Sequence, residues 1–488
     1  MKRTLIISGL ILLVSSVYSQ NESDGLLFSR GDVNGTARYT ALGGAFTALG
    51  GDASGTWKNP AGVGVYRSNE FSLTGTYSEE FIRSNYYGNT SETGQGKLNI
   101  GSFSITGVQD LRQAGKWRNT AISFGMNRVA VYNENYTVEA NGVNASILDD
   151  YTNEINEEGV DWYDLESEYP FDLYLLWENF LIDVKPGYTN QYYNTSGLSP
   201  VDHVYNVDIE GAKRETYFTF GGNYDDRLYI GVAVYTSNIN YDKTTVYTES
   251  FDQSDTTINL DEFSQTFQEE IDGRGYSFSL GAIYRPVDAL RLGLSLKSPE
   301  LQNMEYSFES YNITVEDEVA YEVLSPVVIR DYRFRITSPF QSTLGLAYTF
   351  KKYGLISVEA DYVDMRMTNM RGRTDSDPFT EENSATETLL VPTINLRAGL
   401  EYRVTSSIAA RIGYAAYSNP YSDQVNSNGA FQIYSLGAGY RVDQFFVDAS
   451  YQYRVSGERY TIYDPAMVDP IELAKTDHRI TLTFGLKL

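Results

Sequence analysis

The sequence predicts an all-β protein: a transmembrane antiparallel β-barrel of about 14 strands with an N-terminal plug, or hatch, inside the lumen. Three observations carry this. Apolar residues recur at period two through most of the chain, the charges within those stretches sit on the opposite parity, and tight turns alternate with long polar connections. The closing stretch shows the pattern most cleanly. Ile480, Leu482, Phe484, Leu486 and Leu488 are apolar, while Thr481, Thr483, Gly485 and Lys487 between them are small or polar. A strand with one greasy and one wet face suits the closing seam of a barrel in lipid. As a free edge it would invite aggregation, and closure removes the edge.

Composition narrows the alternatives. The chain has 488 residues, 41 Tyr, 41 Gly and no Cys, which excludes a disulfide framework, a thiolate metal site and a Cys nucleophile. A formal charge of -26 argues against a nucleic-acid partner, because phosphate binding needs a basic face. No apolar run reaches the roughly 20 residues that a spanning helix requires. The longest candidate, Leu5 to Val17, follows Met1, Lys2 and Arg3 and leads into Tyr18 and Ser19. That order of basic, apolar and small residues is a secretory signal peptide, so residues 1–19 are assigned to it, with cleavage after Ser19.

Residues 20–68 are unlike the rest. They are small and glycine-paired, at Gly43-Gly44 and Gly50-Gly51, with Asn59, Pro60 and Ala61 near their end. Such residues permit close backbone approach in a confined space, as a compact plug requires. A phosphate-cradling loop is the competing interpretation, yet no Gly-Lys-Ser/Thr follows and a strand-turn-helix setting is missing.

Residues 69–488 form the barrel. Period-two segments lie near 69–77, 98–108, 117–131, 215–226, 227–250, 275–286, 289–308, 332–352, 354–371, 388–404, 406–419, 428–442, 444–462 and the closing strand. Long polar loops are expected near 78–97, 132–214, 251–274, 309–331, 372–387, 420–427 and 463–476. Short turns belong to the periplasmic side and long loops to the outside, which places both termini in the periplasm. Tyr284, Tyr348, Tyr402 and Tyr440 cap apolar rows, as aromatic girdles do.

The inward parity predicts Arg291, Lys297, Arg333, Arg335, Arg397 and Arg411 in the lumen. They could orient an anionic head group through their donor forks, or pair with Glu359, Asp361, Glu401 and Asp448 and brace the barrel. Val363, Met365 and Met367 continue that parity, either as an apolar lumenal patch or as a contact for the plug. Two loop segments read as helices. In 170–183, Leu173, Leu176, Trp177, Phe180 and Leu181 make one stripe; in 259–272, Leu260, Phe263, Phe267 and Ile271 make a thinner one, with Gly273 as its stop. Apolar loop helices either pack on each other or form a greasy landing site.

The post-signal segment Gly51-Asp52-Ala53-Ser54, running into Asn59-Pro60-Ala61-Gly62 and directly into a strand, resembles the FadL/TodX family of outer-membrane transporters for long-chain fatty acids and hydrophobic compounds. Secretion shuttle proteins of the PorV kind look similar at this end. The resemblance implies a monomeric channel in a Gram-negative outer membrane, surrounded by its lipid and taking up a hydrophobic, fatty acid-like small molecule without ATP. Leu173, Trp177, Phe180, Phe263 and Phe267 would form the first groove, a plug shift would open the route, and a gap near the 117–131 strand would release substrate sideways. A non-transporting partner of the PorV kind is the alternative, and a general porin is a third. Neither enzyme chemistry nor a cofactor is expected: His203 and His478 have no Ser-His-acid order or nucleophile elbow around them. The acidic stretch Asp252 to Asp261 lacks EF-hand spacing and reads as a solvated face.

Overall fold

The computed structural model describes residues 22–111, 115–197, 200–251, 260–373, 379–425 and 428–488. The signal-peptide assignment of residues 1–19 and most of the acidic stretch near 252 lie outside them. A closed antiparallel barrel of 14 strands encloses the N-terminal segment. Its strands are β1 (Glu70–Tyr86), β2 (Asn89–Asp110), β3 (Trp117–Val143), β4 (Val201–Tyr224), β5 (Leu228–Ser250) and β6 (Leu260–Val287). Then come β7 (Leu290–Lys297 and Leu301–Glu316), β8 (Ile329–Thr337 and Gln341–Thr349) and β9 (Gly354–Asp364 and Asn369–Gly372), each interrupted once. The barrel continues through β10 (Pro392–Arg403), β11 (Ile408–Tyr417), β12 (Phe431–Val442), β13 (Phe445–Tyr460) and β14 (Ile471–Lys487). β14 pairs with β1 from Lys487↔Glu70 to Glu472↔Asn85, so the predicted seam closes the wall.

One end carries tight turns. Asp225 and Asp226 between β4 and β5 both adopt φ of 55°, a left-handed pair in a three-residue connection whose third residue, Arg227, donates its N–H to Tyr224 O at 3.1 Å. The other end is built differently from expectation. Three segments predicted as loops, near 78–97, 251–274 and 309–331, are largely strand: β1 turns directly into β2 at Tyr87-Gly88, and β6 and β7 run far outward. β3 has 27 residues and β6 has 28, against the roughly 9–11 needed to cross a bilayer. The wall therefore continues well beyond any lipid belt.

The helix expected over 259–272 is the outer half of β6. Phe263, Phe267 and Ile271 are spaced by four, which satisfies a helical stripe and a strand face equally; the pairing with β5 and β7 on both sides decides it. The helix expected over 170–183 is shorter, Leu173–Glu178, inside a lid formed by residues 144–197. Ahead of it, α4 (Ile147–Glu158) is capped by the Ser146 hydroxyl and stopped at Gly159 in the left-handed conformation.

Along β4, β5 and β6 the parity is constant, but the chemistry on each face reverses with height; in β3 it shifts at the bulge, and in β7, β8 and β9 it shifts across their interruptions. In β4, Phe218 and Phe220 point outward and exposed while Glu215 and Thr219 are buried inside. Further out on the same strand, Asp208 and Glu210 are exposed and Val207 is buried. The lower half is greasy outside and polar inside, as lipid demands; the upper half is an ordinary water-facing wall around an apolar core. That upper core joins strand residues such as Val138, Tyr247 and Phe263 to Leu148, Leu173 and Leu176 of the lid. Burying each such large side chain contributes about 1.5–3 kcal/mol.

Candidate functional site: plug, chamber and wall gap

The plug consists of α1 (Glu22–Ser29), α2 (Ala37–Ala41), α3 (Ala53–Lys58) and a 3-10 turn over Pro60–Val65. Polar side chains start its turns. The Asp52 carboxylate accepts from Gly55 N (3.0 Å) and from the Thr36 hydroxyl, capping α3. The Asn59 amide oxygen accepts from Ala61 N, and its nitrogen donates to Thr47 O at 2.6 Å. Pro60 opens the 3-10 turn, where a missing N–H costs nothing. Ala61 packs on Tyr229 and Ile283 of the wall. Asn59, Pro60 and Ala61 thus tie two plug turns together and seat them on β5 and β6.

The seat itself is glycine. Gly231, Gly281, Gly293, Gly399 and Gly413 face inward from five strands, and a β-carbon at any of them would fall under 3.0 Å from the plug at Pro60, Asn59, Thr47, Leu42 or Gly43. The sequence carries this signal as single glycines on the inward parity of successive strands, and sequence reasoning passed over it.

Buried ion pairs complete the seat. Glu401 accepts from Arg38 of the plug (2.9 Å) and from Arg411 (2.8 Å), and Arg411 also reaches Asp448 at 2.6 Å. Lys58 of the plug meets Asp361 at 3.0 Å, and Arg397 meets Glu359 at 2.7 Å. Glu359 in turn accepts from the backbone N–H groups of Phe46 and Thr47. Lys297 and Trp57 share Glu215. Removing one partner of such a buried pair typically costs about 3–5 kcal/mol, because the other charge is stranded.

Of the residues expected in the lumen, Lys297, Arg397 and Arg411 are therefore braces, and Arg291 donates to Leu49 O of the plug. Arg333 and Arg335 are not lumenal. Both are exposed on the outer surface, with Arg333 3.2 Å from Glu305, while Phe334 and Ile336 between them point inward. The break at 338–340 in β8 separates that outer segment from the lower strand, and above the belt it is the apolar parity that turns in. Val363 and Met365 are buried against Leu26 of α1 and Leu390, so they contact the plug. Met367 is exposed, because a 3-10 turn at Met365–Met367 ends the strand parity.

The five groove residues are dispersed. Leu173 and Phe263 are buried in the lid core with Trp177 packed against it, Phe267 stacks on Phe308 in a neighbouring cluster, and Phe180 stands 78% exposed. His203 lies between the Tyr86 hydroxyl and Ala145 O, and His478 bonds the Tyr451 hydroxyl.

Between the plug and the surrounding strands lies a chamber of about 540 Å³. Tyr132, Tyr136, Tyr205, Tyr241, Tyr460 and Phe431 line it, together with Leu26 and Leu27 of α1. Its charges are mixed, and acids outnumber bases, so a basic lumen beneath acidic loops is not what forms. Arg30 and Arg454 sit over the Phe431 ring at 5.3 Å and 4.3 Å.

Beside the chamber the wall is incomplete. The β2–β3 ladder runs only from Asp110↔Asn119 to Ser102↔Asn127. β3 bulges between Arg128 and Ala130, and its outer half pairs with β4 alone, while the outer half of β2 pairs with β1 alone. Ser84 of β1 reaches Thr137 O of β3 directly, so β3 has folded inward past β2. The plug is clipped to this bend: Asp32 N donates to Val129 O (3.0 Å), and Asn127 bonds Asn34 O and the Ser54 hydroxyl. This is the strand in which the gap was expected.

Closed barrel, seated plug, aromatic chamber and wall gap define a plugged β-barrel in fold. No family model matches the chain, and no curated protein matches it in sequence. Among solved structures, a Pseudomonas aeruginosa FadL homologue aligns with a TM-score of 0.55 at 13% identity, covering 94% of this chain and 99% of that one. The Pseudomonas putida toluene transporter TodX aligns with a TM-score of 0.55 at 12% identity, again over 94% and 99%. The chain has the FadL/TodX fold, in agreement with the resemblance at Asn59-Pro60-Ala61.

Proposed function

We propose that this chain is an outer-membrane channel for passive uptake of hydrophobic and amphipathic molecules, with its tight turns in the periplasm. One observation carries the reading: Ser78, Val131 and Arg479 line both the aromatic chamber and the small cavity at the wall gap, so only these side chains stand between the chamber and the gap. Substrate entering under the lid meets tyrosine rings, and the plug clip at Asp32 and Asn34 couples plug position to the bend in β3. A molecule leaving through the gap passes into the bilayer and never crosses the seated plug.

Long-chain fatty acid is the proposed substrate. An acyl chain is compatible with the tyrosine lining, and Arg30, which has no carboxylate within 4.0 Å among the described residues, offers its fork to the head group. The lid core, packed shut over the chamber, is the feature that favours the alternative, a non-transporting partner of the PorV kind.

The test is uptake of a long-chain fatty acid into liposomes carrying the purified protein and an internal pH dye. Acceleration over empty liposomes, slowed by Gly101→Trp at the gap, is expected. No acceleration, together with co-purification of secreted cargo, would replace transport by the partner reading.

A further inference from the structure

The tight-turn end holds a second cavity, of about 370 Å³, which the lateral route does not use. It is lined by the turn residues Lys351 and Ser407, by the wall at Arg291, Arg403 and Arg441, and by the plug at Leu49 and Arg38. In a chain with 64 acidic and 38 basic side chains, the lining holds eight cations and two carboxylates, a reversal that composition would not produce by chance.

Both carboxylates are already engaged. Glu401 is shared by Arg38 and Arg411, and Asp448 by Arg411. Arg67 turns away to Asp226 at 2.8 Å, and Lys487 is 3.6 Å from Glu70. Arg291, Lys351, Arg403 and Arg441 have no carboxylate within 4.0 Å among the described residues. The Nε of Arg291 is buried without a hydrogen-bond partner, although its Nη1 donates to Leu49 O. Like charges converging in one recess repel each other unless an anion joins them, and guanidinium forks match the spacing of oxyanion oxygens. Tyr440 and Ile408 also line the recess and are 52% and 44% exposed, which sets its mouth at the barrel rim where an inner-leaflet head group would lie.

We propose that this recess is a binding site for a phosphate-type oxyanion, supplied either as free phosphate or as the head group of an inner-leaflet phospholipid. The lipid source rests on the outer-membrane placement proposed above; the anion site itself does not.

The experiment uses the full chain in a non-ionic detergent, titrated by calorimetry with inorganic phosphate and, separately, with dihexanoyl phosphatidic acid. Saturable binding that weakens with salt is expected, and the double variant Arg403→Gln/Arg441→Gln should weaken it by about tenfold or more, because it removes two charge-assisted contacts to the anion. Equal binding of both probes identifies a free-oxyanion site, and binding of the lipid alone identifies a head-group site. Heat-modifiable gel migration confirms that the double variant is folded, and Arg333→Gln at the opposite end should leave binding unchanged. No saturable binding of either probe, or equal affinity in the folded double variant, overturns the proposal. Neither result depends on whether fatty acid is transported.

Discussion

The lower and upper halves of β4, β5 and β6 belong to the same unbroken strands, with the same parity, and solve opposite problems. Around Leu280 the wall presents apolar side chains outward and Ser279 inward; around Ile271, nine residues up the same strand, it buries the apolar side chain and exposes Asp272. Period two survives the crossing because the backbone geometry is common to both halves. Only the solvent outside changes, from lipid to water, and the identity of the buried face changes with it. In the lower half the interior is therefore polar, and the plug is held by ion pairs and glycine seats. In the upper half it is apolar, and the lid is held by packing.

Six substitutions test that contrast, beginning with the largest effect. Phe263→Ala removes a fully buried ring from the upper core, and a loss of about 3–5 kcal/mol is expected. The check is faster proteolysis and hydrogen exchange across the lid while heat-modifiable migration of the barrel persists; loss of migration as well would show that the halves fold as one unit. Leu280→Arg, on the lower outer face, should cost about 2–4 kcal/mol in lipid. Asp242→Arg, outward on the upper part of β5, should stay within about 0.5 kcal/mol. Equal effects of the two arginines in denaturant unfolding from lipid vesicles would erase the proposed boundary.

Gly281→Leu places a side chain where Asn59 sits, and overpacking of about 1–3 kcal/mol should appear as faster hydrogen exchange in residues 42–65. Gly75→Ala, with nothing within 4 Å of the added methyl, is the matched control and should leave those residues unchanged.

The smallest effect concerns pH at the lid. Burial and the neighbouring Asp464 push the Asp150 carboxyl up to about 6, and one of its oxygens is buried without a partner. A raised carboxyl means that the folded lid binds its proton more tightly than the unfolded chain. Its stabilisation is thus present at low pH and is lost as pH rises from the ordinary carboxylate range through about 6. Asp150→Asn should slow hydrogen exchange in Ile147–Glu158 at about pH 8 and leave it unchanged at about pH 4. The opposite order would mean that Asp150 is ionised and paired in the lid.

The closing strand and the inward positions of Lys297, Arg397 and Arg411 were legible because a single period links sequence to face. Arg333, Arg335 and Met367 were misplaced for one reason: extending parity across an interruption assumes a continuous strand, and β8 and β9 are broken just there. Phe263, Phe267 and Ile271 misled because a spacing of four belongs to two periods at once. The proposed groove dissolved since helical stripes report that a face is apolar, without reporting what covers it.

The amino-acid sequence by itself determined the alternation, the strand number, the closing seam and the small-residue plug, because each is a local property of backbone geometry and side-chain size. Tertiary structure alone decided where polarity reverses along the wall, which glycines seat the plug, and that β3 leaves β2 beyond Asn127 to open a gap. Those features depend on residues hundreds of positions apart meeting across a closed barrel, as Arg38 meets Glu401, and such meetings leave no period in the chain.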